Sequence, residues 1–407
     1  MELSIKKIIF KGLRKLSEVC IHWVPFNTSL RPDAFLNSSK IYLELHNQPT
    51  DPNYIKIHPG YTYHLRLPSD LQEAAELFEK LEPTTELPDV VVAEIRNGRL
   101  YTDAYYTIAI ITPTNKVLTD LSLELRSKAR LKGFVNNIFN IKFFRKPTKF
   151  KGTVFTLLTG GGGLDNYFHW LFDVLPRYHL LKVSGLFQRV NWFVIPSYNL
   201  PYQVETLKVL GISPSQIIDG SKVNHIEADT LIASSSHRNA GQMEKWVCDF
   251  LRESFVDTLL PNGKNYPSHF YITRNDSRSR NVLNENELIA LLNSFGFTTL
   301  SLSGLSFEEQ VRLFNNAEVI VSPHGAGLAN MVFCKAGTKI IEIFSKGWVG
   351  TMYYDLAQKL GLEYYYQLDN VSASPASAAE AKHKYFMVDL AAVEKTLRSL
   401  IKMPLKT

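Results

Sequence analysis

The chain has 407 residues, 45% hydrophobic and 21% charged, with a formal net charge of +6. That balance gives room for two cores and excludes an intrinsically disordered chain. The mild positive charge suits anionic partners such as nucleotides or acidic lipids, but the basic residues are dispersed, so no nucleic-acid partner is expected.

Residues 1–20, MELSIKKIIFKGLRKLSEVC, interleave charged and apolar positions, unlike a secretory signal. Ile5, Ile9, Leu13, Leu16 and Cys20 share one helical face, and Lys7, Lys11, Arg14 and Lys15 gather opposite, with Gly12 weakening the helix. Such a helix suits peripheral contact with an anionic membrane surface; packing on the domain with its lysines in solvent is slightly favoured. No run reaches the ~18 apolar residues of a membrane span. Cys20, Cys248 and Cys334 lack paired spacing, which suits a reducing compartment. The expected location is cytoplasmic, or peripheral on the inner face of the cell membrane.

Residues 40–130 read as strands. In VVVAEIRNGRLYTD, Asn97-Gly98 predicts a hairpin, and YTIAIITPTNKVLTD predicts another with its turn at Pro113 to Asn115. Over 150–258, helices alternate with the short strands VNWFVIP, QIIDG and ADTLIAS, which implies a parallel sheet. The stretch LPNGKNYPSH breaks the pattern and predicts a linker at 259–268. A second alternation follows: HFYITR, NENELIALLNSFG, FTTLSL, SFEEQVRLFNNA, EVIVSP, GLANMVFCKA, TKIIEIF and MYYDLAQKLG. The expected fold is α/β, with two doubly wound Rossmann-like domains facing across a cleft and a β-rich N-terminal portion. The expected domains are 1–258 and 269–375, followed by a tail helix in 376–407 able to pack back on the N-terminal domain.

Ligands of such sheets bind beyond the carboxyl ends of the strands, and several chemistry-bearing residues fall there. In LLTGGGGLDNYFHWLFDVLPR, glycines 160 to 163 lead into a helix on which Asp165, His169 and Asp173 recur every four residues. His169 with Asp173 one turn on has the form of an oriented general base; Asp165 could instead be the base or cap the helix, and the pair could be a structural hydrogen bond. Pro176 and Arg177 mark a kink or helix end, leaving Arg177 free to meet a ligand or an acidic neighbour. In YITRNDSRSRNVLNE, Arg274 directly follows a strand and can fork onto phosphate oxygens. Arg280 could do the same or pair with Glu285, while Arg278 reads as surface.

The turn His324-Gly325-Ala326-Gly327 joins strand to helix. Its glycines permit positive φ and expose backbone N–H groups, making an anion cradle, with His324 able to reach a phosphate oxygen. Glu342 ends the next strand and could accept both hydroxyls of a ribose, or be structural. Asn330 stands on the donor side of this set, although it and Gln310 read mainly as packing groups. The histidines form no ligand pattern and no DxD triplet occurs, so no metal and no bound cofactor are expected.

The blocks YFHWLFDVLPR, TRNDSRSRNVLNENEL, SFEEQVRLFNNAEVIVSPHGAGLANMVF and IIEIF together resemble glycosyltransferase family 61, whose bacterial members are often labelled capsular polysaccharide biosynthesis proteins. The likeness covers roughly residues 90 to 370 and rests on the order and spacing of the blocks. It implies a GT-B fold and an inverting mechanism. It also implies a nucleotide-sugar donor, most often a UDP-sugar, on the C-terminal domain, and a saccharide or glycolipid acceptor on the other. By position, the likeness implies that Arg274 and the 324–327 turn hold the diphosphate, that Glu342 lies near the nucleoside, and that His169 and Asp173 face the acceptor. The residues themselves add Arg280 and Asn330 as candidates on the donor side, Asp165 as a further candidate base, and Gly162, Asn166 and Arg177 on the acceptor side. Rival readings are a non-catalytic nucleotide or saccharide binder, an epimerase and a pyruvyl transferase.

Overall fold

The computed structural model describes residues 30–46, 54–76, 84–124, 136–141, 144–159, 162–238, 242–259, 265–277, 279–369, 372, 375, 377–381 and 383–401. The expected helix at 1–20, Gly160, Gly161 and Arg278 lie outside them. The chain divides into two compact units, Met1–Gly60 with Pro88–His237, and Tyr61–Leu87 with Arg238–Thr407. The division differs from the expected one: it falls at 237/238, and residues 61–87 belong with the C-terminal half. No helix among the described residues is long and apolar enough to cross a membrane.

The first unit is built on an eleven-stranded mixed sheet. Ile217–Asp219, Trp192–Ile195, Thr148–Thr156 and His225–Ser234 run parallel, side by side in that order. The free edge of His225–Ser234 pairs antiparallel with Val90–Arg96 and then Arg99–Thr102, which lie end to end along it. Asn97-Gly98 therefore does not close a hairpin. Asn97 is left-handed at φ 49°, and its N–H donates to the Asp229 carbonyl at 2.9 Å, while the Ala228 N–H donates to Gly98 at 3.1 Å. The ladder continues through the kink. A β-carbon on Gly98 would stand 2.9 Å from that of Leu231, so close packing demands the glycine. The second predicted hairpin does form: Thr107–Ile111 pairs with Lys116–Leu118, and Asn115 takes φ 59° in the turn. The four parallel strands run third, second, first, fourth in chain order, the reversal of a doubly wound sheet, and the antiparallel strands extend them into a mixed sheet.

The second unit holds a five-stranded parallel sheet, and here the predicted alternation is present. In chain order its strands are His269–Ile272, Thr298–Leu300, Val319–Pro323, Lys339–Phe344 and Glu363–Leu368; in space they run second, first, third, fourth, fifth. Side chains alternate between two covered faces. Val319, Val321, Ile341 and Ile343 pack with Leu288 and Leu292 of helix Glu285–Ser294 and with Val393 and Leu397 of helix Leu390–Leu400. The tail helix thus packs within the second unit, correcting the expectation that it returns to the N-terminal domain. Opposite, Phe255, Phe307 and Phe333 form an edge-to-face cluster beneath helices Lys245–Leu259 and Phe307–Asn316. Ser306 and Glu309 close the expected cap on the latter helix by reciprocal hydrogen bonds of 3.2 and 3.1 Å. The strand Glu363–Leu368 was not predicted, because its tyrosines and Gln367 carry no apolar alternation.

Candidate functional site

A parallel sheet in this order reverses its winding between the first and third strands, and ligands bind at the carboxyl ends of that pair. His269–Ile272 leads to Arg274, and Val319–Pro323 leads to His324. The two converge: a β-carbon on Gly325 would fall 1.9 Å from Arg274 Nη1. Only glycine lets the guanidinium lie against this backbone. The expected positive φ is not the reason, since Gly325 is extended at φ −179° and Gly327 is not left-handed. At Gly327 a β-carbon would press on Leu302 Cδ1 at 2.9 Å. Both glycines answer to close approach.

Arg274 is fixed from one side. Its Nη2 donates to Ser277 Oγ at 2.7 Å and to the Ser279 carbonyl at 3.0 Å, and its Nε to the same carbonyl at 3.3 Å. Nη1, the nitrogen beside Gly325, has no hydrogen-bond partner among the described residues. Arg280, in the left-handed region at φ 58°, holds its guanidinium 5.8 Å from the Trp348 ring centre, and its Nε is buried without a partner. The alternative pairing with Glu285 does not occur, because that carboxylate accepts from Tyr271 Oη at 2.8 Å and Thr273 Oγ1 at 2.7 Å. Burial pushes Arg274 below its usual pKa, and burial with the neighbouring Arg274 charge pushes Arg280 down to about 10. Among the described residues no carboxylate forms an ion pair with either arginine. Two half-buried cations that repel each other at a sheet switch point favour an anion between them.

The turn supplies further donors. Residues Ala326–Phe333 form a 3-10 helix rather than the expected α-helix. Its first bond runs from the Leu328 N–H to the Gly325 carbonyl, 3.1 Å, so the amides of Ala326 and Gly327 precede any intrahelical partner. Tyr353 Oη also donates to the Gly325 carbonyl at 2.8 Å. A trans peptide then aims the Ala326 N–H away from Tyr353. Asn330, wholly buried, donates to Gln310 Oε1 and the Gly327 carbonyl at 2.9 and 3.1 Å, and Gln310 donates to the Leu302 and Leu305 carbonyls. Asn330 holds the turn from beneath instead of meeting a ligand.

Glu342 also departs from expectation. It is completely buried, one oxygen accepting from His324 Nδ1 and the other from Tyr364 Oη. With both oxygens engaged in the interior, it has no access to a ribose. His324, 7% exposed, stacks on Phe344 at 5.3 Å and lies 5.5 Å from the Tyr353 ring. Its other nitrogen, Nε2, has no protein partner among the described residues. Tyr353, Tyr364 and Gly350 are not marked by any sequence signal; Tyr364 lies on the strand that lacks apolar alternation, beside Ile340.

In the first unit, the chain leaves strand Thr148–Thr156 through the glycine run into a helical turn, Gly162–Asp165. Asn166 is extended there, φ −109° and ψ 114°, and its side chain caps the next helix by accepting from the Phe168 N–H at 3.0 Å. Asn166 is thus a helix cap, and Asp165, before the break, does not share a helix face with His169 and Asp173. That pair does form: His169 Nδ1 lies 2.5 Å from Asp173 Oδ2, with the side chains 40% and 19% exposed. A β-carbon on Gly162 would strike His169 Cγ at 2.7 Å, so Gly162 seats the imidazole. Trp170–Val174 is a π turn, closed by the Leu175 N–H on the Trp170 carbonyl. Pro176 cannot donate to the Phe172 carbonyl one turn back; His237 Nε2 meets that oxygen at 2.8 Å. The helix continues to Val183, so Pro176 does not mark an end; it follows the π turn in the first turn of the α-helical stretch. Arg177, expected on the acceptor side, is instead buried, its Nη1 donating to the Ser234 carbonyl and Oγ at 2.8 and 2.9 Å.

A groove of about 440 Å³ at the opposite, amino-terminal edge of the five-stranded sheet is lined by His269, Glu318, Lys335 and Lys339. It lies at the wrong end of the strands for a ligand of this sheet type. Among the described residues no cluster of histidine, cysteine and carboxylate side chains is arranged to hold a metal ion.

Residues 167–341 match the family described as Glycosyltransferase 61. The matched segment carries the His169–Asp173 pair, Arg274 and the turn with His324, and stops one residue short of Glu342. The human protein O-linked-mannose beta-1,4-N-acetylglucosaminyltransferase 2 is 39% identical over 121 residues, 29% of this chain and 19% of that protein. The Xenopus laevis counterpart is 40% identical over 74 residues, 17% and 13% of the two chains. Beta-1,2-xylosyltransferase of Arabidopsis thaliana is 36% identical over 80 residues, 19% and 15%. The chain therefore spans a fifth or less of the length of these curated relatives. They are from animals and a plant, and lend no support to the bacterial capsular type.

Proposed function

We propose that this protein is a metal-independent glycosyltransferase that moves a sugar with inversion from a nucleotide-diphosphate donor, UDP-sugar first, to a saccharide hydroxyl. The observation that carries the reading is Arg274 seated against Gly325, beside Arg280, at the switch point of a parallel sheet. The second unit holds the donor: Arg274 Nη1, the Ala326 and Gly327 amides and His324 surround the diphosphate and stabilise the charge that develops as it leaves. The first unit supplies the base. His169, its Nδ1 side held by Asp173 and 40% exposed, takes the proton from the acceptor hydroxyl as that oxygen attacks the anomeric carbon. The glycosyltransferase names of the relatives support the reaction class; the sugars they name differ, and none is carried over. Such an enzyme suits synthesis of a polysaccharide or glycoconjugate.

The test is a panel of nucleotide sugars screened by calorimetry, followed by donor hydrolysis with purified protein in the presence of EDTA. Binding of a UDP-sugar and hydrolysis that persists in EDTA and disappears in His169→Ala are expected. Binding without any hydrolysis or transfer would make the protein a nucleotide-sugar binder instead.

A further inference from the structure

Behind His324, the buried Glu342 and Tyr364 touch no part of the proposed donor site other than His324 itself. Glu342 receives a hydrogen bond on each oxygen, from His324 Nδ1 and Tyr364 Oη, and no part of it meets solvent. Its neighbours on every side are accounted for. His324 is stacked between Phe344 and Tyr353, and Tyr353 is engaged with the Gly325 carbonyl. Burial and the adjacent carboxylate hold the Tyr364 hydroxyl protonated, well above its usual pKa, and the same two causes act on Tyr353. Arg274 and Arg280 act on Tyr353, and Arg280 also acts on Glu342.

The imidazole is therefore pinned at Nδ1 and open at Nε2. Gly350 borders that edge: a β-carbon there would stand 3.1 Å from Cε1 and 3.4 Å from Nε2. A side chain that is more than nine-tenths buried thus presents one nitrogen with no partner among the described residues. Glu342 stands behind the ring, and a diphosphate arriving at Nε2 adds negative charge at the open edge, the arrangement in which an imidazole takes a second proton.

We propose that Glu342 and Tyr364 are positioning residues that couple diphosphate binding to protonation of His324 at Nε2, so that the imidazolium donates to the phosphate. The proton comes from solvent as the anion arrives. When the bond from the anomeric carbon to the β-phosphate oxygen breaks, the electron pair stays on that oxygen and the Nε2–H donates to it; the acceptor's proton goes separately to the base. This inference rests on the donor site proposed above and gives Glu342 a function in place of the ribose contact.

The test is UDP binding by calorimetry near neutral pH in two buffers of different ionisation heat, which counts protons taken up per ligand. Wild-type protein should take up a fraction of a proton relative to His324→Gln, which should take up none. Glu342→Gln keeps the shape and the acceptor for Nδ1–H but removes the charge. It should lose the uptake and bind UDP about tenfold more weakly, the size of one charge-assisted hydrogen bond. Glu342→Asp, which restores the charge, should recover part of both, a rescue that a purely structural role would not show, and it keeps the test open if Glu342→Gln fails to fold. Equal proton counts in wild type and His324→Gln, or wild-type uptake and affinity in Glu342→Gln, would overturn the proposal. If UDP gives no binding, the nucleotide reading fails first; inorganic pyrophosphate then replaces it in the same series, and no uptake there overturns the relay as well.

Discussion

Among the described residues, two histidine–carboxylate pairs share a 2.5 Å contact and have opposite surroundings. His169–Asp173 is 40% and 19% exposed, on a helix distorted by a π turn. His324–Glu342 is 8% and 0% exposed, locked between two strands of a parallel sheet. The contact itself does not say what such a pair does. An exposed imidazole can exchange its proton with a visiting hydroxyl, whereas a buried one backed by a buried carboxylate can only present charge to a ligand at its single open edge. The first suits a base and the second an anion contact.

Replacing the exposed histidine breaks this comparison most strongly. His169→Ala should lower turnover by about 10²–10⁴-fold, the ordinary contribution of a general base, and leave UDP affinity at its wild-type value. A parallel loss of affinity, read by calorimetry, would merge the two roles that the comparison separates. Next in size is Gly325→Ala, whose added carbon would sit 1.9 Å from Arg274 Nη1. Displacing that guanidinium should weaken UDP binding about a hundredfold, with the thermal midpoint little changed. Gly162→Ala is the matching change in the other unit, its methyl falling 2.7 Å from His169 Cγ. It should cut turnover about tenfold through misplacement of the base and spare donor binding, as kcat and KM measured separately would show.

The smallest effect concerns stability. In the second unit, Tyr61 Oη donates to Glu244, and Asp355 accepts from the Met243 N–H, both carboxyl groups being nearly buried. Burial raises both above the usual carboxylate range. A carboxyl whose folded pKa is raised binds its proton more tightly when folded, so its contribution is full below the unfolded pKa and is lost as pH rises through the folded value. Thermal midpoints followed from roughly pH 7 down toward pH 5 should therefore gain a degree or two more in wild type than in Glu244→Gln. An identical pH dependence in both would show that Glu244 is not protonated on folding.

Much of the second unit was legible because its strands and helices are local, periodic and capped by their own residues: Ser306 with Glu309, acidic residues opening Glu285–Ser294, Gly361 closing Met352–Leu360. The positions of Arg274 and the 324–327 turn followed from one general rule about parallel sheets. What the sequence could not show was set by partners distant along the chain. Asn97-Gly98 carries a hairpin signal, yet His225–Ser234 pairs on both sides of it and straightens the edge. The glycines of the turn signal unusual φ, yet what they meet are the side chains of Arg274 and Leu302, far back along the chain. Arg177 reads as a free cation until Ser234 is seen beside it. Glu342 reads as an acid at a strand end, and nothing within reach along the chain reveals that His324 and Tyr364 occupy both its oxygens.

The most direct measurement is a crystal structure of the chain with UDP. The account predicts the diphosphate at the carboxyl edge of the five-stranded sheet, within hydrogen-bond distance of Arg274 Nη1, the Ala326 amide and His324 Nε2. A diphosphate bound in the groove at the amino-terminal edge, beside Lys335 and Lys339, with Arg274 untouched, would contradict it.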